Sequence, residues 1–118
     1  MVKKILVVDD NKEDLANMKN ILENAKYDVI ATTSEKAALR HSKKQKFDLI
    51  LLDMQMPHLS GYELLKLMKA DKKGKPYVMF VSIVPYKEVD LSGADGFIQK
   101  PFGEKTFLSG IKDVLKKR

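Results

Sequence analysis

Three runs along the chain are apolar without interruption: Ile5-Leu6-Val7-Val8, Leu49-Ile50-Leu51-Leu52 and Val78-Met79-Phe80-Val81. None alternates with polar residues, so each predicts a strand buried on both faces, as in parallel sheets covered by helices. Tyr27-Asp28-Val29-Ile30-Ala31-Thr32 and Gly96-Phe97-Ile98-Gln99 are weaker strand candidates. Between them, apolar residues recur at three- and four-residue spacing, which predicts helices. These are Leu15, Met18, Leu22 and Ala25, then Leu64, Leu65 and Met68, and finally Phe107, Leu108, Ile111, Val114 and Leu115. Ser34 suits the N-cap of a helix through Ala37, Ala38 and Leu39. Ser60 can cap the next, and Asp10 or Asn11 the first. Strand and helix alternate to five strands, which predicts an α/β sheet with right-handed crossovers. The fourth unit is the exception. Ser82 to Gly96 leaves little room for a full helix and Pro85 shortens it further, so a short or irregular element is expected there.

Composition narrows the class. The chain has 118 residues, the size of one domain, and is 44% apolar, enough to fill one core. It is read as a single unit over residues 1–118. Cysteine is absent, which excludes disulfides, thiolate metal sites and thiol nucleophiles and fits a reducing cytosol. Met1-Val2-Lys3-Lys4 before an apolar run looks like the start of an export signal, but the run stops after four residues at Asp9-Asp10. No apolar stretch is long enough to span a bilayer, so a cytoplasmic location without membrane association is expected. The net charge of +6 raises nucleic acid as a partner, with Lys112, Lys116, Lys117 and Arg118 the densest basic group. Aromatic residues are not interleaved with these cations as in base-stacking platforms. The charge therefore reads as a solvated lysine-rich surface, which also favours association with acidic partners. His41 and His58 are not spaced as a metal pair and are both expected at the surface.

The candidate chemistry lies at the strand ends. Ligands of parallel α/β sheets bind beyond the carboxyl ends of the strands. Asp9 and Asp10 follow the first strand, Asp53 the third, Ser82 closes the fourth, and Lys100 follows the fifth. A single aspartate at such a position is often a cap or turn residue, and Ser82 or Lys100 alone means little. Four complementary strand ends of five mean more. Three close carboxylates repel and call for a cation. An oxygen donor set without His or Cys suits a hard ion such as Mg2+, which also binds phosphate oxygens. A lysine and a hydroxyl beside it can neutralise and hydrogen-bond a phosphoryl group. The chemistry suited is phosphoryl transfer to or from a carboxylate.

These same segments resemble, in order and over essentially the whole chain, the receiver domains of two-component response regulators. They are Ile5 through Asp10, Leu49 through Pro57 followed by Gly61, Phe80-Val81-Ser82 and Lys100-Pro101-Phe102. The resemblance implies a flavodoxin-like (βα)5 fold with strand order 2-1-3-4-5. It implies that Asp53 is the phosphoacceptor. Asp10 and Asp53 would ligate Mg2+ directly together with the backbone carbonyl of Gln55, while Asp9 would act largely through water. Lys100 would contact Asp53 and then the phosphoryl oxygens, placed by a cis Lys100–Pro101 bond. Ser82 would swing toward the phosphoryl group and Phe97 would move as the aromatic switch residue. Such a switch would bias a two-state surface formed by the fourth unit, the fifth strand and the last helix. A sensor histidine kinase or phosphotransfer protein is implied upstream, and a protein target or output domain downstream.

Two departures from the family pattern stand out. Ile83 follows Ser82 where relatives usually carry a small residue, and the Ser82–Phe97 segment is shorter by about one helical turn. Both favour the alternative of a pseudo-receiver, a binding module that acts without phosphorylation; the intact acidic residues oppose it. A stand-alone phosphatase finds no Asp-x-Asp motif, cap region or phosphate-binding glycine loop. Without a helix-turn-helix signature, direct nucleic-acid binding is not expected. The only substrate of a receiver is its own side chain, so a separate enzymatic activity is not expected either.

Overall fold

The computed structural model describes residues 2–56, 60–70 and 75–117. Its elements run β1 (Lys4–Val8), α1 (Lys12–Asn24), β2 (Asp28–Thr32), α2 (Glu35–Lys44), β3 (Leu49–Leu52), α3 (Gly61–Ala70), β4 (Tyr77–Ser82), a 3-10 turn (Tyr86–Glu88), β5 (Gly96–Gln99) and α4 (Glu104–Leu115). The strands form one parallel sheet in the order β2-β1-β3-β4-β5. This is the flavodoxin-like architecture expected, with the helix between β4 and β5 reduced to a single 3-10 turn.

The unbroken apolar runs have a simple cause. Successive side chains of a strand point to opposite faces, and here both faces are covered. Ile5, Val7, Leu49, Leu51, Met79 and Val81 pack with Met18, Ile21 and Leu22 of α1 and with Phe107, Ile111 and Val114 of α4. Leu6, Val8, Ile50, Leu52, Val78 and Phe80 pack on the other side with Ala38 of α2 and with Leu64, Leu65 and Met68 of α3. Phe80 and Phe107, one in each cluster, are fully buried.

Side-chain caps start the first three helices. The Asn11 side chain accepts from the Asp14 N–H at 3.0 Å, and Ser34 Oγ accepts from Ala37 N–H at 3.1 Å. Ser60 Oγ accepts from Glu63 N–H at 3.2 Å while Glu63 Oε1 accepts from Ser60 N–H at 3.4 Å, a reciprocal capping box. Behind that cap, a Cβ on Gly61 would lie 2.8 Å from the Asp53 carbonyl oxygen and from Met54 Cα, so only glycine lets α3 start against the chain leaving β3.

His41 lies partly exposed on α2. It follows the buried Ala38 by three residues, which turns it toward the inner side of α2. Pro57 and His58 lie outside the described residues. No described helix is long and apolar enough to cross a membrane.

Candidate functional site

Strand register brings the carboxylates together. Val8 pairs with Thr32 on one side and Leu52 on the other, so the residues following β1 and β3 are neighbours. The backbone continues the sheet one step further: Asp53 N–H donates to the Val8 carbonyl at 3.0 Å and Asp9 N–H to the Thr32 carbonyl at 3.2 Å. Carboxylate oxygens of Asp9, Asp10 and Asp53 all lie within 4.8 Å of one another. Asp9 and Asp53 are buried, whereas Asp10 is exposed. Lys100 arrives from the far side of the sheet, its N–H donating to the carbonyl of Ser82 at 2.8 Å. The Lys100–Pro101 bond is cis.

Lys100 reaches Asp53, as the resemblance implies, but lies closer to two other carboxylates. Its ammonium is 2.6 Å from Asp9 Oδ2 and 2.9 Å from Asp14 Oδ2, but 3.8 Å from Asp53 Oδ2. Asp9 is thus used at both oxygens, since its Oδ1 accepts from the Asn11 N–H at 2.9 Å. Asp14 escaped sequence reasoning because an acidic residue in the first turn of a helix reads as favouring the dipole. Its partner Lys100 lies far along the chain, and no local spacing links the two.

The site's charges are uneven. Burial and the nearby Asp9 carboxylate push Asp53 from the ordinary 3.8 up to about 6, against the lowering effect of the Gln55 N–H and of Lys100. Burial works against the Lys100 ammonium, but its bonds to Asp9 and Asp14 and the charges of Asp9 and Asp53 outweigh that, so its pKa stands above 10.5. A cavity of about 230 Å³ opens here, lined by Asp10, Asn11, Asp14, Asp53, Gln55, Ile83 and Lys100. A larger groove of about 730 Å³ runs between β5 and α4, but Asp113 is its one carboxylate and no strand-end aspartate reaches it.

The remaining predicted residues lie at the rim. Ser82 is fully buried, and its Oγ accepts from the Val84 N–H at 3.2 Å. Ile83 is 65% exposed at the cavity mouth. Phe97 is half-buried against the second core cluster, and the exposed Tyr86 meets its ring edge-on at 5.6 Å. Gln55 lines the cavity, and its N–H donates to Asp53 Oδ1 at 3.2 Å. All-oxygen donors, clustered carboxylates and space beside them fit a hard divalent cation, which such a donor set prefers over softer metals.

A doubly covered parallel sheet with an acidic pocket at its carboxyl ends and a lysine from the last strand defines a receiver-type signalling domain. The family model for the response regulator receiver domain matches residues 5–112, and the chain belongs to that family. It is 33% identical over 120 residues to the alkaline phosphatase synthesis transcriptional regulatory protein PhoP of Bacillus subtilis, covering 99% of this chain and 50% of that protein. The chain thus spans about half the length of that relative. It is 27% identical to the polar-differentiation response regulator DivK of Brucella ovis, covering 98% of both. Among solved structures, the CheY-like receiver domain protein of Methanospirillum hungatei superposes with a TM-score of 0.90 at 30% identity, over 99% of this chain and 96% of that one.

Proposed function

We propose that this receiver domain, taken as one unit over residues 1–118, accepts a phosphoryl group on Asp53 with the help of Mg2+ and thereby switches a protein-binding surface. The observation that carries the reading is the pocket itself: three carboxylates with oxygens within 4.8 Å, two of them buried, beside one ammonium. Asp10 and Asp53 would hold the ion with the Gln55 carbonyl. Asp9 would act through water, in keeping with its two occupied oxygens. When bound, the ion neutralises the carboxylates and the phosphoryl oxygens. An Asp53 carboxylate oxygen forms the new O–P bond while the donor's P–O or P–N bond breaks and its electron pair leaves with the donor. Lys100, 3.8 Å from Asp53 Oδ2, would turn from Asp14 to a phosphoryl oxygen on Asp53. Ser82 Oγ would exchange the Val84 N–H for that group, and Phe97 would move into the space released. The phosphoryl donor would be a sensor histidine kinase or phosphotransfer protein, and the output a protein contact or an attached domain, in the cytoplasm. Transfer to and hydrolysis from its own side chain is the only chemistry implied.

A second reading, a pseudo-receiver that binds its partner without phosphate, is favoured by Ile83 over the pocket mouth and by the single 3-10 turn that stands between β4 and β5 in place of an α-helix. One experiment separates them: incubation with acetyl phosphate, with and without Mg2+, and intact-mass detection on wild type and Asp53→Ala. A single phosphoryl mass that disappears with Mg2+ removal or the substitution supports the first reading. An adduct that persists in Asp53→Ala, or none in the wild type, leaves the second.

A further inference from the structure

The β4–β5 connection has no helix to hold it, and one side chain takes over much of that role. The Gln99 carboxamide reaches back from the end of β5. Its Nε2 donates toward the carbonyls of Ile83 at 2.9 Å and of Ser82 and Lys100 at 3.2 Å, while its Oε1 accepts from the Tyr86 N–H at 3.1 Å. Four backbone groups, on both sides of the connection's first turn, therefore converge on one exposed amide. The residues it gathers are those the switch needs. Ser82 carries the hydroxyl, Ile83 sits over the cavity, Tyr86 lies against Phe97, and Lys100 is the ammonium. Besides these bonds, residues 83–90 have the Val84 N–H bond to Ser82 Oγ, the turn bonds from Glu88 N–H to Pro85 and Val89 N–H to Tyr86, and one bond to α3, from Asp90 N–H to Tyr62 Oη at 2.8 Å.

We propose that Gln99 is a positioning residue that latches the Ser82–Tyr86 loop in its resting place, so that drawing Ser82 toward an occupied Asp53 requires this amide to let go. The geometry supplies the coupling. Ser82 Oγ cannot turn to the pocket without leaving the Val84 N–H, and shifting residues 83 and 84 pulls the Ile83 carbonyl off Gln99. A latch of this kind favours the resting state, so its loss increases the population of the active-like state. The switching half of this inference rests on the phosphoacceptor reading; the latch itself does not.

The test uses Gln99→Ala and Gln99→Glu in the full chain, read by amide hydrogen exchange without Mg2+ and by titration with Mg2+ and beryllofluoride followed by NMR. Gln99 is exposed, and both variants are expected to fold. Glutamate keeps an oxygen for the Tyr86 N–H but has no donor for the three carbonyls, so it separates the two arms of the latch. In Gln99→Ala, Tyr86 and its loop neighbours are expected to exchange about tenfold faster, the worth of a hydrogen bond or so. Beryllofluoride is expected to bind about fivefold tighter. Gln99→Glu is expected to retain part of the Tyr86 protection and to gain the same affinity. Unchanged loop exchange in Gln99→Ala overturns the latch. Faster exchange at unchanged beryllofluoride affinity overturns its role in switching. A wild type that fails to bind beryllofluoride overturns the phosphoacceptor reading, and the exchange data alone then decide whether Gln99 positions the loop.

Discussion

The floor of the acidic pocket and the connection beyond β4 lie side by side, yet they are made of different material. Asp9 and Asp53 extend two central strands whose side chains are buried on both faces, and Gly61 seats α3 directly on the chain after Asp53. Nothing there moves without disturbing a close-packed core. The connection rests on one carboxamide, one ring contact, the bond from Asp90 N–H to Tyr62 Oη, the partly buried Val84 and Val89, and a few turn bonds. Ångström-scale placement of charge comes from the first construction, and a low cost of rearrangement from the second. A switch needs both, and this chain assigns them to adjacent strand ends.

The largest expected effect lies on the rigid side. Lys100→Met leaves buried Asp9 and Asp53 without their ammonium, and breaking such a pair by removing one partner costs about 3 kcal/mol or more. Denaturant unfolding without Mg2+ at pH 7 should show that loss, shrinking toward pH 4 as Asp53 takes up its proton. A Lys100→Met protein as stable as wild type would break the contrast.

Asp53→Asn is expected to act in the opposite direction. The folded protein holds the Asp53 proton up to about pH 6, whereas the unfolded chain releases it near 3.8. The Asp53 contribution to wild-type stability therefore falls as pH rises between those two values, by at most about 3 kcal/mol over the whole interval. Asparagine carries no such penalty, so its stability advantage should grow from pH 4 to pH 6, then level off, and narrow when Mg2+ is added. A constant difference across pH 4 to 7 would mean the carboxyl is not held in this way.

The smallest effect belongs to the connection. Tyr86→Ala removes an exposed edge-on ring pair worth about 1 kcal/mol or less and leaves the backbone bond to Gln99 intact. Stability should drop by no more than that, with Mg2+ affinity unchanged, as measured by calorimetry. A loss matching Lys100→Met would make the connection part of the core after all.

Much of this is legible in the sequence alone. Uninterrupted apolar runs mark doubly covered strands, and the polar residues that end three of them, Asp9, Asp53 and Ser82, fall at one end of the sheet; Lys100 is marked instead by the Lys-Pro pair that follows the fifth strand. The short fourth unit can be read from the spacing of Ser82 and Gly96 with Pro85 between them. Asp14 and Gln99 are not legible in this way. Each looks ordinary where it stands, an acidic residue in a helix's first turn and a polar residue ending an edge strand. Their partners are set by three-dimensional reach: Lys100 lies 86 residues beyond Asp14, and Ser82 lies 17 before Gln99. Hydrophobic periodicity carries no information on which polar tip meets which.

The strand order also has a consequence in time. Because β1 lies between β2 and β3, three adjacent strands and all three strand-end aspartates are present once residue 53 has been added. Lys100 follows 47 residues later, roughly 2–9 s of translation at ordinary elongation rates of about 5–20 residues per second. The pocket's like charges are thus all in the chain before their counter-charge exists, and since domains generally fold as units, the sheet closes around them only once Lys100 can join it. The last-made strand completes the electrostatics as well as the sheet.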